Sequence, residues 1–444
     1  MASIAEQLAS NFTFKSFSNA QDLKKRLWFT LGVLIVYRFG TYIPLPGIDA
    51  QLMANLVKSN GSGLLGMFDM LSGGALGRMS IFALNIMPYI TASIIMQLMT
   101  SLYKPLEAMK KEGGQGRIRI NQYTRYGTVV LAAVQAYGIA AALEMMPDSP
   151  VIMPGFLFRL ISVITITCST IFLMWLGEQI TARGIGNGIS LIIYAGIVAN
   201  LPQAIIGTLE FGRTGALSIV AILAVTIIVI SAIAFIVFME RAQRRVLVQY
   251  PKRQVGSKLY AGEKSHLPLK INSAGVIPPI FAGSLLGFPA TLGSLLKNDG
   301  TEWYSSIAGF LVPGSWTFIL IYSALIAFFA FFYTAIVFNP EETADNLKKS
   351  NGFILGIRPG EKTAEFFDFV LTRLTVVGAA YLVSICILPE LLKAYFGPLP
   401  FYFGGTSILI VVGVTMDTVA QVHSHLVAYQ YEGLLKKNSG RGRR

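Results

Sequence analysis

Ten apolar runs of roughly 17–25 residues divide this chain, near 27–43, 79–101, 124–143, 153–176, 186–206, 216–239, 275–293, 313–337, 370–389 and 403–422. A run of that length crosses a bilayer as a helix, with its backbone polar groups satisfied within the segment. The pattern predicts an all-α polytopic membrane protein with ten transmembrane helices. Two runs are interrupted: the second carries Pro88 in its middle, with Thr91 and Ser93 beyond it, and the seventh carries Pro278, Pro279 and Pro289. Before the second lies 62–78, rich in Gly and Ser. It is too short to span and too rich in glycine to hold a lone helix. It reads as a re-entrant segment lining a cavity.

Polar positions set the orientation. An even number of spans puts both termini on one side, and 29 of the 36 Lys and Arg fall on that side. This predicts cytoplasmic ends and cytoplasmic loops at 240–274 and 338–369. The net charge of +13 is then mostly a topology signal. Ten spans divide five and five, into 1–206 and 207–444. An odd number per half makes the second half enter from the opposite face. Halves that share a fold are therefore inverted repeats, with the working site at their interface. No residue-level repeat is visible, yet the interrupted spans are the second of each half.

Composition sharpens the class. At 53% hydrophobic and 13% charged, this is no ordinary soluble chain. The first 26 residues are polar, so no cleaved leader is expected. Ionisable groups are nearly absent from span centres: Arg38 lies near the outer end of the first run, free to snorkel, and Asp417, His423 and His425 near the inner end of the tenth. That argues against ion-coupled transport and for a conduit. There is no Gly-Lys dipeptide for a phosphate loop, and no His constellation. Gly184-Ile-Gly-Asn-Gly188 opens a membrane helix with no strand before it, unlike a dinucleotide site. Cys168 and Cys386 lie in apolar runs and read as packing residues. The expectation is a passive pore with no cofactor and no catalytic residue. A resting pore can block ions with an apolar ring, and stiff, bulky isoleucine suits one. Ile86 and Ile90 are four apart, on one helical face, as are Ile189 and Ile193.

Several motifs have a family resemblance. Met70-Leu-Ser-Gly-Gly-Ala-Leu, Ile81-Phe-Ala-Leu-Asn-Ile-Met-Pro-Tyr-Ile90, Trp175-Leu-Gly-Glu-Gln-Ile180 and Arg183-Gly-Ile-Gly-Asn-Gly-Ile-Ser190 resemble the SecY family of bacterial protein-conducting channels. So do Phe338-Asn-Pro-Glu-Glu-Thr-Ala-Asp-Asn-Leu-Lys-Lys349, Gly356-Ile-Arg-Pro-Gly360 and Phe401-Tyr-Phe-Gly-Gly-Thr406. The resemblance implies two inverted five-helix halves around a central pore that passes unfolded secretory chains across the bacterial inner membrane. It implies a pore ring of Ile86, Ile90, Ile189, Ile193, Ile280 and Ile410. It implies a plug of Leu64, Leu65, Gly66, Met67, Phe68, Asp69, Met70, Leu71, Ser72, Gly73 and Gly74. Spans 2 and 7 would form a lateral gate releasing membrane segments into lipid, with Thr91, Ser93, Gln135, Asn272 and Phe288 at its seam. Implied partners are SecE, SecG, the SecA motor, the ribosome, signal peptides and nascent chains, and further YidC and SecDF.

The cytoplasmic loops differ from each other. Loop 240–274 carries 8 basic residues against Glu240 and Glu263, and 244–250 alternates like a strand that Lys252 to Gly256 turns back as a hairpin. In 338–369 the feature is Arg358, held extended by Pro359 between glycines and displayed for bidentate contacts. By resemblance Arg245, Lys252 and Arg358 dock the ribosome or SecA. The basic tail Lys436, Lys437, Arg441, Arg443 and Arg444 reads as solvated or in contact with anionic lipids. Two other classes remain open at this point, a secondary transporter with inverted repeats and a non-conducting insertase or scaffold.

Overall fold

A computed structural model describes residues 21–49, 51–53, 72–145, 149–214, 218–251, 253–255, 258–260, 264–296, 315–396 and 404–441, with backbone alone at 253–260, 287–296, 393–396 and 430–441. Each of the ten apolar runs falls on a helix: α1 (Gln21–Gly40), α2 (Met87–Leu102), α4 (Gly114–Glu144), α5 (Phe156–Arg183), α6 (Gly188–Arg213), α7 (Ile219–Arg241), α8 (Ile277–Leu296), α9 (Trp316–Val337), α11 (Glu361–Phe396) and α12 (Gly405–Arg441). Two short helices, α3 (Lys104–Lys111) and α10 (Pro340–Lys349), lie between them. Among the described residues, seven helices are long and apolar enough to cross a membrane. The other three of the ten are α1, with charges near both ends, α2, with only 16 residues, and α8.

The second run is not a helix kinked at Pro88. Residues 73–86 form successive turns, and the helix begins at Met87 with Pro88 in its first turn. There the missing N–H breaks no ladder bond, and the fixed φ suits a helix start. Pro278 and Pro279 likewise open α8.

Contacts sort the long helices into two groups. On one side α4 packs on α2 and α5, and α5 on α6; on the other α8 packs on α9, and α9 and α12 on α11. The groups meet along one seam where α8 touches α2 and α4, and along another where α12 touches α6 and α1. One apolar cluster unites residues of both groups. Helix α4 presents small residues at four-residue spacing, Thr124, Thr128, Ala132, Ala136 and Ala140, all buried. Such stripes let membrane helices approach closely.

The Gly184–Gly188 motif is a structural crossing. Asn187 caps α6, its side chain accepting from the amides of Ile189 and Ser190, as its residue type favours. A Cβ at Gly188 would lie 1.9 Å from the Gly177 carbonyl oxygen, so α5 and α6 cross backbone on backbone. The turn also joins the groups: Gly186 N–H donates to Gln421 of α12 at 2.8 Å, and Ile185 N–H to Thr30 of α1 at 3.1 Å.

The two large loops carry strands: β1 (Gln243–Gln249), β2 (Arg253–Val255), β3 (Lys258–Tyr260), β4 (Lys264–Lys270) and β5 (Phe353–Ile354). Strand β1 pairs with β4, and β2–β3 is a separate hairpin between them, so the hairpin of 244–250 closes later than 252–256. Strand β5, from the other loop, completes the order β4-β1-β5. Two loops that look independent in sequence thus share one sheet. Cys386 is buried as expected, whereas Cys168 is exposed on α5, away from the core.

Gly188→Ala is expected to destabilise the protein by about 1–3 kcal/mol through overpacking. Gly32→Ala, with open space around its Cβ, is expected to be neutral or stabilising by up to about 1 kcal/mol. Thermal unfolding of the two variants in detergent measures the difference.

Candidate functional site

The six isoleucines come from four helices. Ile86, Ile90, Ile193 and Ile410 are buried members of the shared cluster, and Ile189 and Ile280 pack against it half-buried. Ile86 is the N-cap of α2 and accepts the Ile90 N–H at 3.1 Å, so the pair stack one turn apart. Ile189 lies against Gly177, where a Cβ would meet its Cγ1 at 3.1 Å. The glycine crossing therefore helps position α6 and its isoleucines.

Helices α2 and α8 open alike. Asn85 has φ +49° and Gly275 φ +64°, and each stands two residues before its helix. Then Ile86-Met87-Pro88-Tyr89-Ile90 runs parallel to Val276-Ile277-Pro278-Pro279-Ile280. The left-handed turn, the first-turn proline and the isoleucine that follows occur at the same steps. This local repeat, invisible as identity, sets Ile90 and Ile280 in equivalent positions of the two groups.

Of the expected plug, 64–71 lies outside the described residues; Ser72, Gly73 and Gly74 lie within. Gly73 and Gly74 have φ +70° and +80°. A Cβ on Gly73 would meet Gly196 Cα and O of α6 at 2.9 Å. Tyr37, fully buried in α1, donates from Oη to the Ser72 oxygen at 3.3 Å. Arg38 does not snorkel: it donates to the Gly73 oxygen at 2.8 Å, and Arg78 donates to the same oxygen at 3.0 Å. Sequence reasoning missed Arg78, Tyr37 and Gly196. The only sequence hint was an Arg just after the Gly-Gly pair.

Residues 44–48 and Met53 are anchored too. Ile48 bridges Val151 and Pro44 bridges Ser80. Leu45, Ile48, Met53, Met79, Leu84, Leu143 and Phe158 share a second core. Glu144 closes the turn between α4 and α5, accepting from Gly155 N at 2.9 Å and Arg159 Nε at 2.6 Å.

The polar seam differs from expectation. Helix α2 does pack on α8 and α4. Yet Thr91 donates back to Met87 O at 3.1 Å, and Ser93 accepts from Gln97 at 3.5 Å, both within α2. Gln135 Oε1 is buried with no hydrogen-bond partner among the described residues. Asn272 instead donates to Glu240 Oε1 at 2.6 Å and Gly275 O at 3.1 Å, and its Cα lies 3.6 Å from a Cβ built on Gly378 of α11. It fastens the base of α8 to α7 and α11. Apolar packing, not a polar zipper, closes the seam here. Phe288 lies on α8, its side chain outside the described residues.

On the sheet, Val246, Leu269 and Ile354 face a small core with Phe367 and Val370. Alternation puts Arg245 on the opposite, exposed face. Arg358 is exposed at a tip whose flanking Gly356 and Gly360 have φ +82° and +106°, and Thr363 holds the Arg358 carbonyl at 2.9 Å. Lys252 lies outside the described residues. Beside α4, Glu107 and Lys111 form a surface pair on α3, and that hydrogen bond holds the Glu107 carboxyl below its usual range.

These elements define a multi-pass helical membrane protein whose two helix groups meet around one apolar centre. Comparisons with known proteins agree. The family model of SecY matches residues 80–419. The protein translocase subunit SecY of Rickettsia felis is 55% identical over 433 residues, 97% of this chain and 99% of its own length. A solved protein-conducting channel is 20% identical with a TM-score of 0.69, covering 91% of this chain and 93% of that one. Sec61 in a canine ribosome–channel complex from the endoplasmic reticulum is 19% identical with a TM-score of 0.64, covering 91% and 93%. The chain belongs to the SecY family.

Asn272→Ala leaves the Glu240 carboxylate without its 2.6 Å partner. The expected cost is about 1–3 kcal/mol, read as a lowered Tm in detergent.

Proposed function

We propose that this chain is the pore subunit of a protein-export translocase, a passive gated channel in a bacterial inner membrane with both termini cytoplasmic. The observation that carries this is the meeting of all six isoleucines in one apolar body shared by both helix groups. A collar of such side chains keeps a narrow path dry and ion-tight, then yields to a polypeptide. Residues 1–206 and 207–444 act as inverted halves, a reading supported by the matching starts of α2 and α8. Those two helices form the lateral gate, and an apolar segment leaves between them by partitioning into lipid. Segment 62–78 seals the outer side as the plug. Energy comes from partners: SecA or the ribosome docks on the sheet and tip of Arg245, Lys252 and Arg358, while SecE and SecG complete the complex.

Deleting 62–78 is expected to give a standing ion leak in planar bilayers. Silence in that recording would favour a non-conducting scaffold. Ile86→Ser with Ile90→Ser should raise the resting leak further. Arg358→Glu should block export in vesicles while leaving membrane assembly intact, and normal export in that variant would remove the tip from the docking surface.

A further inference from the structure

Two guanidiniums from different segments close on one carbonyl, the Gly73 oxygen, at 2.8 Å from Arg38 Nη1 and 3.0 Å from Arg78 Nη2. Tyr42 stands beside both. Its ring centroid is 4.9 Å from the Arg38 guanidinium carbon and 4.3 Å from that of Arg78, and its hydroxyl accepts from Arg38 Nη2 at 3.0 Å. A carbonyl has two lone pairs, so it can take both donors. Hydrogen bonds from a charged donor are stronger than neutral ones, and the aromatic face favours the cations where they lie. The carbonyl is aimed by backbone packing, since Gly73 is left-handed and touches Gly196 with no room for a Cβ.

The neighbouring outer segment is held differently. Residues 43–49 bond through backbone, as in Leu45 N–H to Met79 O at 2.9 Å and Ile81 N–H to Ile43 O at 3.0 Å. Undoing those contacts means tearing a bridge. The two hydrogen bonds on the Gly73 carbonyl come from side chains, which can release it by rotating. The two arginines also differ in reach. Arg78 is five residues from Gly73 on the same stretch of turns, whereas Arg38 belongs to α1 and ties that stretch to a separate helix.

We propose that Arg38 and Arg78 are positioning residues for the closed channel, a two-pronged latch on the Gly73 carbonyl that sets how readily the outer seal departs. Arg38 is the tether, and Arg78 with Tyr42 holds the carbonyl and the tether in register. The inference rests on reading 62–78 as a plug.

The test uses the full chain in its assembled complex, in planar bilayers, with the resting open probability as the readout. Arg38→Gln should raise it roughly ten-fold, the size of one lost charge-assisted hydrogen bond. Arg78→Gln should raise it less. Arg38→Lys should restore part of the closure, because an ammonium still donates to a carbonyl although it lacks the planar fork. An external, membrane-impermeant maleimide should label Ser72→Cys faster when Arg38→Gln is also present. Tyr42→Leu, which leaves both arginines in place, should leak to an intermediate extent and serves if Arg38→Gln assembles poorly. Equal leak from Arg38→Gln and Arg38→Lys overturns the charge-assisted bond. If deletion of 62–78 leaks while the Arg38 and Tyr42 variants stay tight, the latch is wrong and the plug stands. If the deletion itself is silent, both fall.

Discussion

The structure depends on satisfying the backbone of a stretch that is not helical. Residues 73–86 run as turns inside a membrane protein, where an unpaired N–H or C=O has no water to turn to. Their polar groups are met locally and from neighbours. Met79 N–H reaches Leu76 O, Ser80 N–H reaches Ala75 O, and Asn85 N–H reaches Phe82 O, all at 2.8–2.9 Å. The Met79 carbonyl accepts from Leu45 N–H, and the Ile81 N–H donates to Ile43 O. The Ser72 and Gly73 carbonyls take Tyr37, Arg38 and Arg78. An irregular segment so enclosed must be buried in protein or line a cavity.

Close backbone approach links the parts. Helix α6 begins on the Gly177–Gly188 crossing, carries Ile189 and Ile193, and one turn further offers Gly196 to Gly73. The apolar centre and the turn at Gly73 thus rest on one helix. At its N-terminal end the same helix is reached through the Gly186–Gln421 bond to the other helix group. The base of the molecule is similarly shared, since one sheet takes strands from both large loops. A load applied at Arg245 or near Arg358 bears on a single body at the base of α7, α8, α9 and α11.

Much of this was legible in the residues. Run length gave ten helices, because crossing the hydrocarbon imposes a minimum apolar stretch. The alternation of 244–250 gave a strand, and the order of long motifs gave the family. The proline interruptions marked the right helices but misread the local form, since a proline in a run looks the same whether it kinks a helix or starts one. Its role depends on whether the preceding residues are helical, and the turns before Pro88 and Pro278 are held by neighbours distant in sequence. The partners of the polar residues expected at the seam were hidden for a related reason: Thr91 and Ser93 have a local carbonyl or side chain in reach, and Asn272 meets Glu240.

By itself the sequence determined the class, the positions of the apolar helices and the isoleucines at helical spacing, all of which are one-dimensional consequences of a bilayer's thickness and polarity. Tertiary structure alone decided which carbonyls Arg38 and Arg78 reach, that Gly73 lies on Gly196, that β5 joins β1, and that α2 and α8 start alike. Those depend on distances between residues far apart in the chain, and the pattern of apolar and polar positions carries no record of them.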